Sequence, residues 1–262
     1  MSAVALHHVA DGPADAPVLL LGGSLGTALD MWEPQVGPLA ATRRVVRFDH
    51  RGHGGSPVPA APYTIAQLGE DVVALLDRLE IARADYVGLS IGGMVGQWLA
   101  IHAPQRIGRL VLICTAPHSA SPDPWLQRAA RVRAAGSPEV VADAVVERWF
   151  THRWAISHPD IVARHRAMIA ATDADGYAGC CEAIAGLDER PGLPRIAAPT
   201  LVIGGAQDAA LPATHSRAIA AAIPGARLEI LDPGAHLASV ERADTVTQLI
   251  AEHLGGGEED PR

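Results

Sequence analysis

A serine flanked by small residues, Gly88-Leu89-Ser90-Ile91-Gly92, stands between the apolar run at 85–89 and a helical pattern over 91–102. A chain that passes from strand to helix within one residue forces its corner into a strained backbone conformation, and only small neighbours avoid collision there. The corner lifts the hydroxyl clear of the sheet and near a helix N-terminus, where N–H groups favour negative charge. A hydroxyl is a poor nucleophile at neutral pH, so this reading of Ser90 demands a base and an orienting acid. The chain order that accompanies such an elbow is Ser, then Asp or Glu, then His. Asp208 follows the strand-like residues 200–203, and His236 follows those at 227–231. Both fall at carboxyl ends of strands, the edge on which open sheets bind ligands. Asp232 is nearer to His236 in sequence, but its Asp-Pro step suits a turn former, so Asp208 is preferred.

Acyl transfer also needs donors aimed at the oxyanion. One is expected from the N–H of Ile91, directly after the nucleophile. The other is expected from the loop after the early strand, Gly22-Gly23-Ser24-Leu25-Gly26, with Ser24 preferred and Leu25 the alternative.

These loops need a rigid sheet beneath them. Short β-rich runs at 17–21, 44–49, 85–89, 110–114, 200–203 and 227–231 alternate with helical patterns, the mark of a mostly parallel sheet wrapped by helices. The clearest helix spans 64–79. Ile65, Leu68, Val72, Leu75, Leu76 and Leu79 share one face, and Thr64 with Gln67 forms a capping box. Between 122 and 190 strand signals vanish, which reads as a helical cap set after the sixth strand, with the core at 1–121 and 191–254. The Gly-rich, acidic tail at 255–262 is expected to be disordered.

Composition narrows the function further. A formal charge of −8 with no dense basic stretch argues against nucleic acid, which needs clustered cations. No apolar run is long enough for a membrane span, and no leader pattern opens the chain. Three cysteines, two of them adjacent, make a poor disulfide framework, so a cytoplasmic location is expected. The loop Asp49-His50-Arg51-Gly52-His53-Gly54 lacks metal-ligand spacing and reads as a structured turn whose Arg and Asp pair locally. Gly22–Gly26 lacks a complete dinucleotide fingerprint. Neither metal nor cofactor is expected.

The segments DHRGHGGS, GLSIGGMVGQ and PTLVIGGAQD resemble the α/β-hydrolase superfamily. SLGTALDMWEPQ, PYTIAQLGEDVVALLD, ERWFT, ATDADGYAGCCEAIAGLD and GAHLASVE narrow the resemblance to the 3-oxoadipate enol-lactonases of bacterial aromatic catabolism, from Leu6 to Leu254. One departure is Gly22-Gly23, where those lactonases often carry Ser-Asn. The resemblance implies an eight-stranded, mostly parallel sheet with a helical cap, and Ser90, Asp208 and His236 as triad. It implies hydrolysis of a small anionic enol-lactone without cofactor. The substrate carboxylate then needs a cation in the cap, whose eight Arg face ten Asp or Glu, so placement must decide. Arg133 is the candidate, with Arg131 behind it, and Trp149 is the candidate pocket wall. Competing readings are a general carboxylesterase or perhydrolase, a C–C bond hydrolase, and a non-catalytic sensor on the same scaffold.

Overall fold

The protein is seen in a computed structural model that describes residues 3–255. Strands β1 (His8–Asp11), β2 (Val18–Gly22), β3 (Arg44–Phe48), β4 (Ala84–Leu89), β5 (Ile107–Ile113), β6 (Thr200–Gly205) and β7 (Arg227–Leu231) form one sheet in the order β1-β3-β2-β4-β5-β6-β7. Every pairing is parallel except β1 with β3. The central strands are nearly continuous apolar runs because helices cover both of their faces.

Seven strands among the described residues replace the expected eight, and the helical insertion follows the fifth strand rather than the sixth. The chain before β1 does not pair as a strand. It is tied instead to the helix over 65–78, through Val4 N–H to Asp71, and to a loop, through His7 N–H to Ser56 Oγ. β1 itself escapes a sequence reading: it is a four-residue polar edge strand with no fully buried position.

On the core side lie α1 (Glu33–Ala40), α2 (Ile65–Arg78), α3 (Ile91–His102), α9 (Thr214–Ala222), α10 (Ala238–Glu241) and α11 (Ala243–Gly255). α2 shows its capping box as expected: Gln67 N–H donates to Thr64 Oγ1 at 3.2 Å and Thr64 N–H to Gln67 Oε1 at 3.0 Å. Its buried stripe Ile65, Leu68, Val72, Leu75 and Leu76 contributes about 1.5–3 kcal/mol per side chain. The single helix expected over 240–254 is broken at Arg242 into α10 and α11.

Between β5 and β6 the chain forms α4 (Asp123–Ala135), α5 (Glu139–Val146), α6 (His152–Ser157), α7 (Pro159–Ala171) and α8 (Ala174–Ala185), with α4 packed on α8 and α5 on α7. An isolated antiparallel bridge, His118 to Asp188, ties the two ends of this segment together. Among the described residues no helix is long and apolar enough to cross a membrane. Apart from Gly255, the tail expected to be disordered lies outside the described residues.

Candidate active site

Ser90 sits between β4 and α3 with φ 57° and ψ −118°, a conformation that costs about 1–3 kcal/mol and persists only where its surroundings over-determine it. Two bonds do so here: Ser90 N–H donates to Ile113 O at 3.0 Å, and Thr115 Oγ1 donates to Ser90 O at 2.7 Å. The flanking glycines are dictated by close approach. A Cβ on Gly88 would collide with the Gly92 carbonyl, and one on Gly92 with the carbonyl of Gly22. Gly92 N–H in turn donates to Gly23 O at 3.1 Å, so the elbow and the loop after β2 are locked together.

Asp208 lies three residues beyond β6, and His236 lies in the loop between β7 and α10. His236 Nδ1 and Asp208 Oδ2 are 2.8 Å apart, both side chains buried. The other oxygen of Asp208 accepts from the N–H groups of Ala210 and Leu211, each at 2.8 Å. With its carboxylate so occupied, Asp208 holds the imidazole in one tautomer, proton on Nδ1 and lone pair on Nε2. The two loops also bind each other, through Ala206 N–H to Leu231 O and Gln207 N–H to Gly234 O, both 2.9 Å. Asp232 is exposed and does not reach His236.

Ser90 and His236 line one small cavity, about 50 Å³, together with Ser24, Leu25, Trp149 and Tyr177. No direct hydrogen bond joins Ser90 Oγ to His236 in this geometry; such bonds often tighten only when substrate is bound. Size alone would misdirect a search. A cleft of about 650 Å³ beside Trp154 and Arg242 contains none of Ser90, Asp208 or His236. The loop 22–26 reaches the cavity with two candidate oxyanion donors. Ser24 N–H is turned to the Sδ of Met31 at 3.3 Å, a weak acceptor, while Leu25 N–H has no acceptor among the described residues. Ile91 opens α3, where N–H groups lack intrahelical partners.

The motif at 49–54 braces this loop. Burial drives His53 below its ordinary range, so the ring is neutral; Nδ1 donates to Arg51 O at 3.2 Å and Nε2 accepts from Gly26 N–H at 2.9 Å. His50 is pulled down to about 3 by burial and by His53, and its Nε2 donates to Gly23 O at 3.2 Å. The expected local Arg–Asp pair is corrected. Arg51 instead forms a fully buried bidentate pair with Asp71 of α2, at 2.6 and 2.7 Å, while Asp49 accepts from Leu29 N–H, Gly55 N–H and His7. Asp49 follows a strand and is drawn into caps of nearby loops, whereas Arg51 reaches inward to the helix packed beneath it.

Two further expectations need correction. Arg133 does not face the cavity. Its guanidinium is held on the outer side by Glu182, with one contact at 2.9 Å, and by Asp175 at 3.2 Å. Arg131 is exposed and donates to Val140 O. The cations that line the cavity are Arg128 and Arg148, which sequence reasoning missed. Trp149 is both cavity wall and buried core, edge-on to His165.

Sequence reasoning also passed over Glu241. This buried carboxylate accepts from Ala235 N–H at 3.0 Å, beside His236, and from the N–H and hydroxyl of Thr151, at the start of α6. With Leu237 N–H donating to Trp149 O at 2.9 Å, it ties the histidine loop to the covering helices.

Few architectures set a strained serine at the carboxyl edge of a parallel sheet; the α/β hydrolases do. The chain belongs to that family, whose model, described as alpha/beta hydrolase fold, matches residues 16–243. Within it the chain is 41% identical to 3-oxoadipate enol-lactonase 2 of Acinetobacter baylyi, over 94% of this chain and 92% of that protein. The solved enol-lactonase of Burkholderia xenovorans LB400 is 44% identical with a TM-score of 0.93, and 96% of each chain is covered. A protein described as a proposed carbamate hydrolase from Variovorax paradoxus is 32% identical, over 95% of this chain and 96% of that one. The resemblance to enol-lactonases that the motifs imply is thus upheld, and the chain is a hydrolase, the level on which these relatives agree.

Proposed function

We propose that the protein is a serine hydrolase that opens 3-oxoadipate enol-lactone to 3-oxoadipate through an acyl-enzyme. The observation that carries this reading is the buried 2.8 Å pair of His236 and Asp208 on the same cavity as Ser90, in a chain similar along its length to two enol-lactonases.

In the proposed reaction Ser90 Oγ attacks the lactone carbonyl carbon while its proton passes to His236 Nε2. Asp208 stabilises the imidazolium so formed. The oxyanion rests on the N–H groups of Ile91 and Ser24; Ser24 exchanges a thioether for a charged oxygen, a far stronger acceptor. Leu25 is the alternative donor. Collapse breaks the ring C–O bond, and the departing enol oxygen takes the proton from His236. The enol then becomes a ketone, which draws ring opening forward. Water gives a proton to His236 and its oxygen to the acyl carbon, and the carboxylic acid leaves as Ser90 regains its proton. The small enclosed cavity suits a compact ring better than a long-chain ester. A cytoplasmic setting accords with the three buried, free cysteines.

The test is turnover of the enol-lactone, generated in situ, by the intact protein and by Ser90→Ala. We expect a loss of about 10³-fold or more. Brisk hydrolysis of p-nitrophenyl acetate without lactone turnover would replace this reading with a general carboxylesterase. Failure of Ser90 to label with a fluorophosphonate would favour the sensor.

A further inference from the structure

Two guanidinium groups line the cavity without an ion pair. Arg128 projects from α4 with its Cζ 4.7 Å from the Trp125 ring, and Arg148 follows α5, its Nε donating to Ala144 O at 3.0 Å. Neither joins an ion pair with a carboxylate among the described residues, whereas Arg133 nearby does. Tyr177 of α8 lines the same cavity, wholly buried, its hydroxyl close to the Arg128 guanidinium but in no well-formed hydrogen bond. An orphaned buried hydroxyl costs about 1–3 kcal/mol unless a ligand satisfies it.

Electrostatics point the same way. Burial, and then the neighbouring Arg128, press the Arg148 guanidinium below its ordinary range, against weaker opposing pulls from Tyr177, Asp208 and Glu147. Burial pushes the Tyr177 phenol up, so it keeps its proton and remains a donor. Two like charges and a free donor, gathered in a low-dielectric space, are unfavourable alone and favourable around an anion. They lie on the covering-helix side of the cavity, opposite Ser90, His236 and the loop 22–26.

We infer that Arg128, Arg148 and Tyr177 form a carboxylate-binding subsite that selects small lactones or esters bearing an anionic arm. The subsite deepens the reading of Ser90 as nucleophile and rests on it. A substrate spanning the cavity would present its reacting carbonyl to the core loops and its carboxylate, a few bonds away, to the arginines. Trp125 steadies Arg128 by stacking, which limits the ordering cost of binding.

The experiment compares two lactones with the same unsaturated ring, one bearing an acetate arm and one a methyl group. The enzymes are the intact protein, Arg128→Ala, Arg148→Ala, Tyr177→Phe and the two Arg→Lys variants, each checked by thermal melting. In either Arg→Ala variant the ratio of kcat/KM for the anionic over the neutral ring should fall about 10- to 100-fold, mainly through KM. Lys should restore part of that ratio, and Tyr177→Phe should lower it less. Equal losses on both rings, or an unaltered ratio, would overturn the subsite. A second arm measures inhibition of neutral-ester hydrolysis by adipate, with phosphate and chloride at matched ionic strength. Competitive inhibition by adipate that weakens in the arginine variants supports the subsite; equal inhibition by all three anions overturns it. Because this arm runs on any ester that Ser90 turns over, it reads the subsite even if the enol-lactone is not a substrate. Hydrolysis that survives Ser90→Ala would instead remove the nucleophile reading.

Discussion

The two walls of the cavity are built on opposite rules. On the core wall every loop that carries a candidate reacting group is anchored by hydrogen bonds to its neighbours. Asp208 accepts three, the elbow is bonded to the loop 22–26, and that loop is bonded to two neutral histidines. On the helical wall, Arg128 and Arg148 have no carboxylate partner among the described residues, and the buried Tyr177 hydroxyl has no hydrogen-bond acceptor. A satisfied wall is rigid, which preorganised chemistry requires. An unsatisfied wall is open to a ligand that supplies what is missing. On the proposed function, the sheet loops set the reaction and the covering helices set the substrate.

The largest expected effect lies on the core wall. Asp208→Asn keeps the size of the side chain but reverses the hydrogen-bond demand on His236, and kcat should fall about 10⁴-fold. If the contrast holds, steady-state kinetics will show the same loss on anionic and neutral lactones. A loss confined to the anionic ring would break it.

Glu241 is where the two walls meet, so it can sharpen the division. Glu241→Gln puts an amide where Ala235 N–H and Thr151 expect a carboxylate. We expect kcat to drop about 10- to 100-fold through displacement of His236, with KM nearly constant. A purely structural role would lower the melting temperature while leaving both the pH profile and kcat of the folded fraction intact.

The smallest effect concerns acid stability of the core wall. His50 in the folded chain titrates near 3, below its ordinary 6.5, so the unfolded chain binds more protons between those values. Stability therefore rises with pH across that window and is lost as pH falls from about 6.5, by about 2 kcal/mol at pH 5. His50→Gln keeps a donor for Gly23 O and removes the titration. Its melting temperature should change less between pH 7 and pH 5 than that of the intact protein. An identical slope would show that other groups govern acid unfolding.

The unequal legibility of the two walls follows from how each is encoded. Ser90, Asp208 and His236 could be singled out as candidates from sequence because each sits at a fixed place relative to a strand end, and strands announce themselves by apolar runs. The polar edge strand β1 carried no such run and was missed, and so was the break at Arg242, where the apolar pattern continues through the interruption. Choosing among arginines was harder still. On α4 the helical period places Arg128 and Arg133 on opposite edges of the buried stripe Ala129 and Val132, so periodicity ranks them equally.

What the sequence determined alone, then, is whatever depends on local spacing: the elbow, the order of its partner loops, the capping box and the alternation of strand and helix. Chain folding at long range decided the rest. Glu182 on α8 captured Arg133 and left Arg128 turned to the cavity, Asp71 on α2 claimed Arg51, and Glu241 joined Ala235 to Thr151. An ion pair or buried hydrogen bond is a contact between residues distant in sequence. Its partner is chosen by which helices pack together, and no periodicity within one segment records that choice.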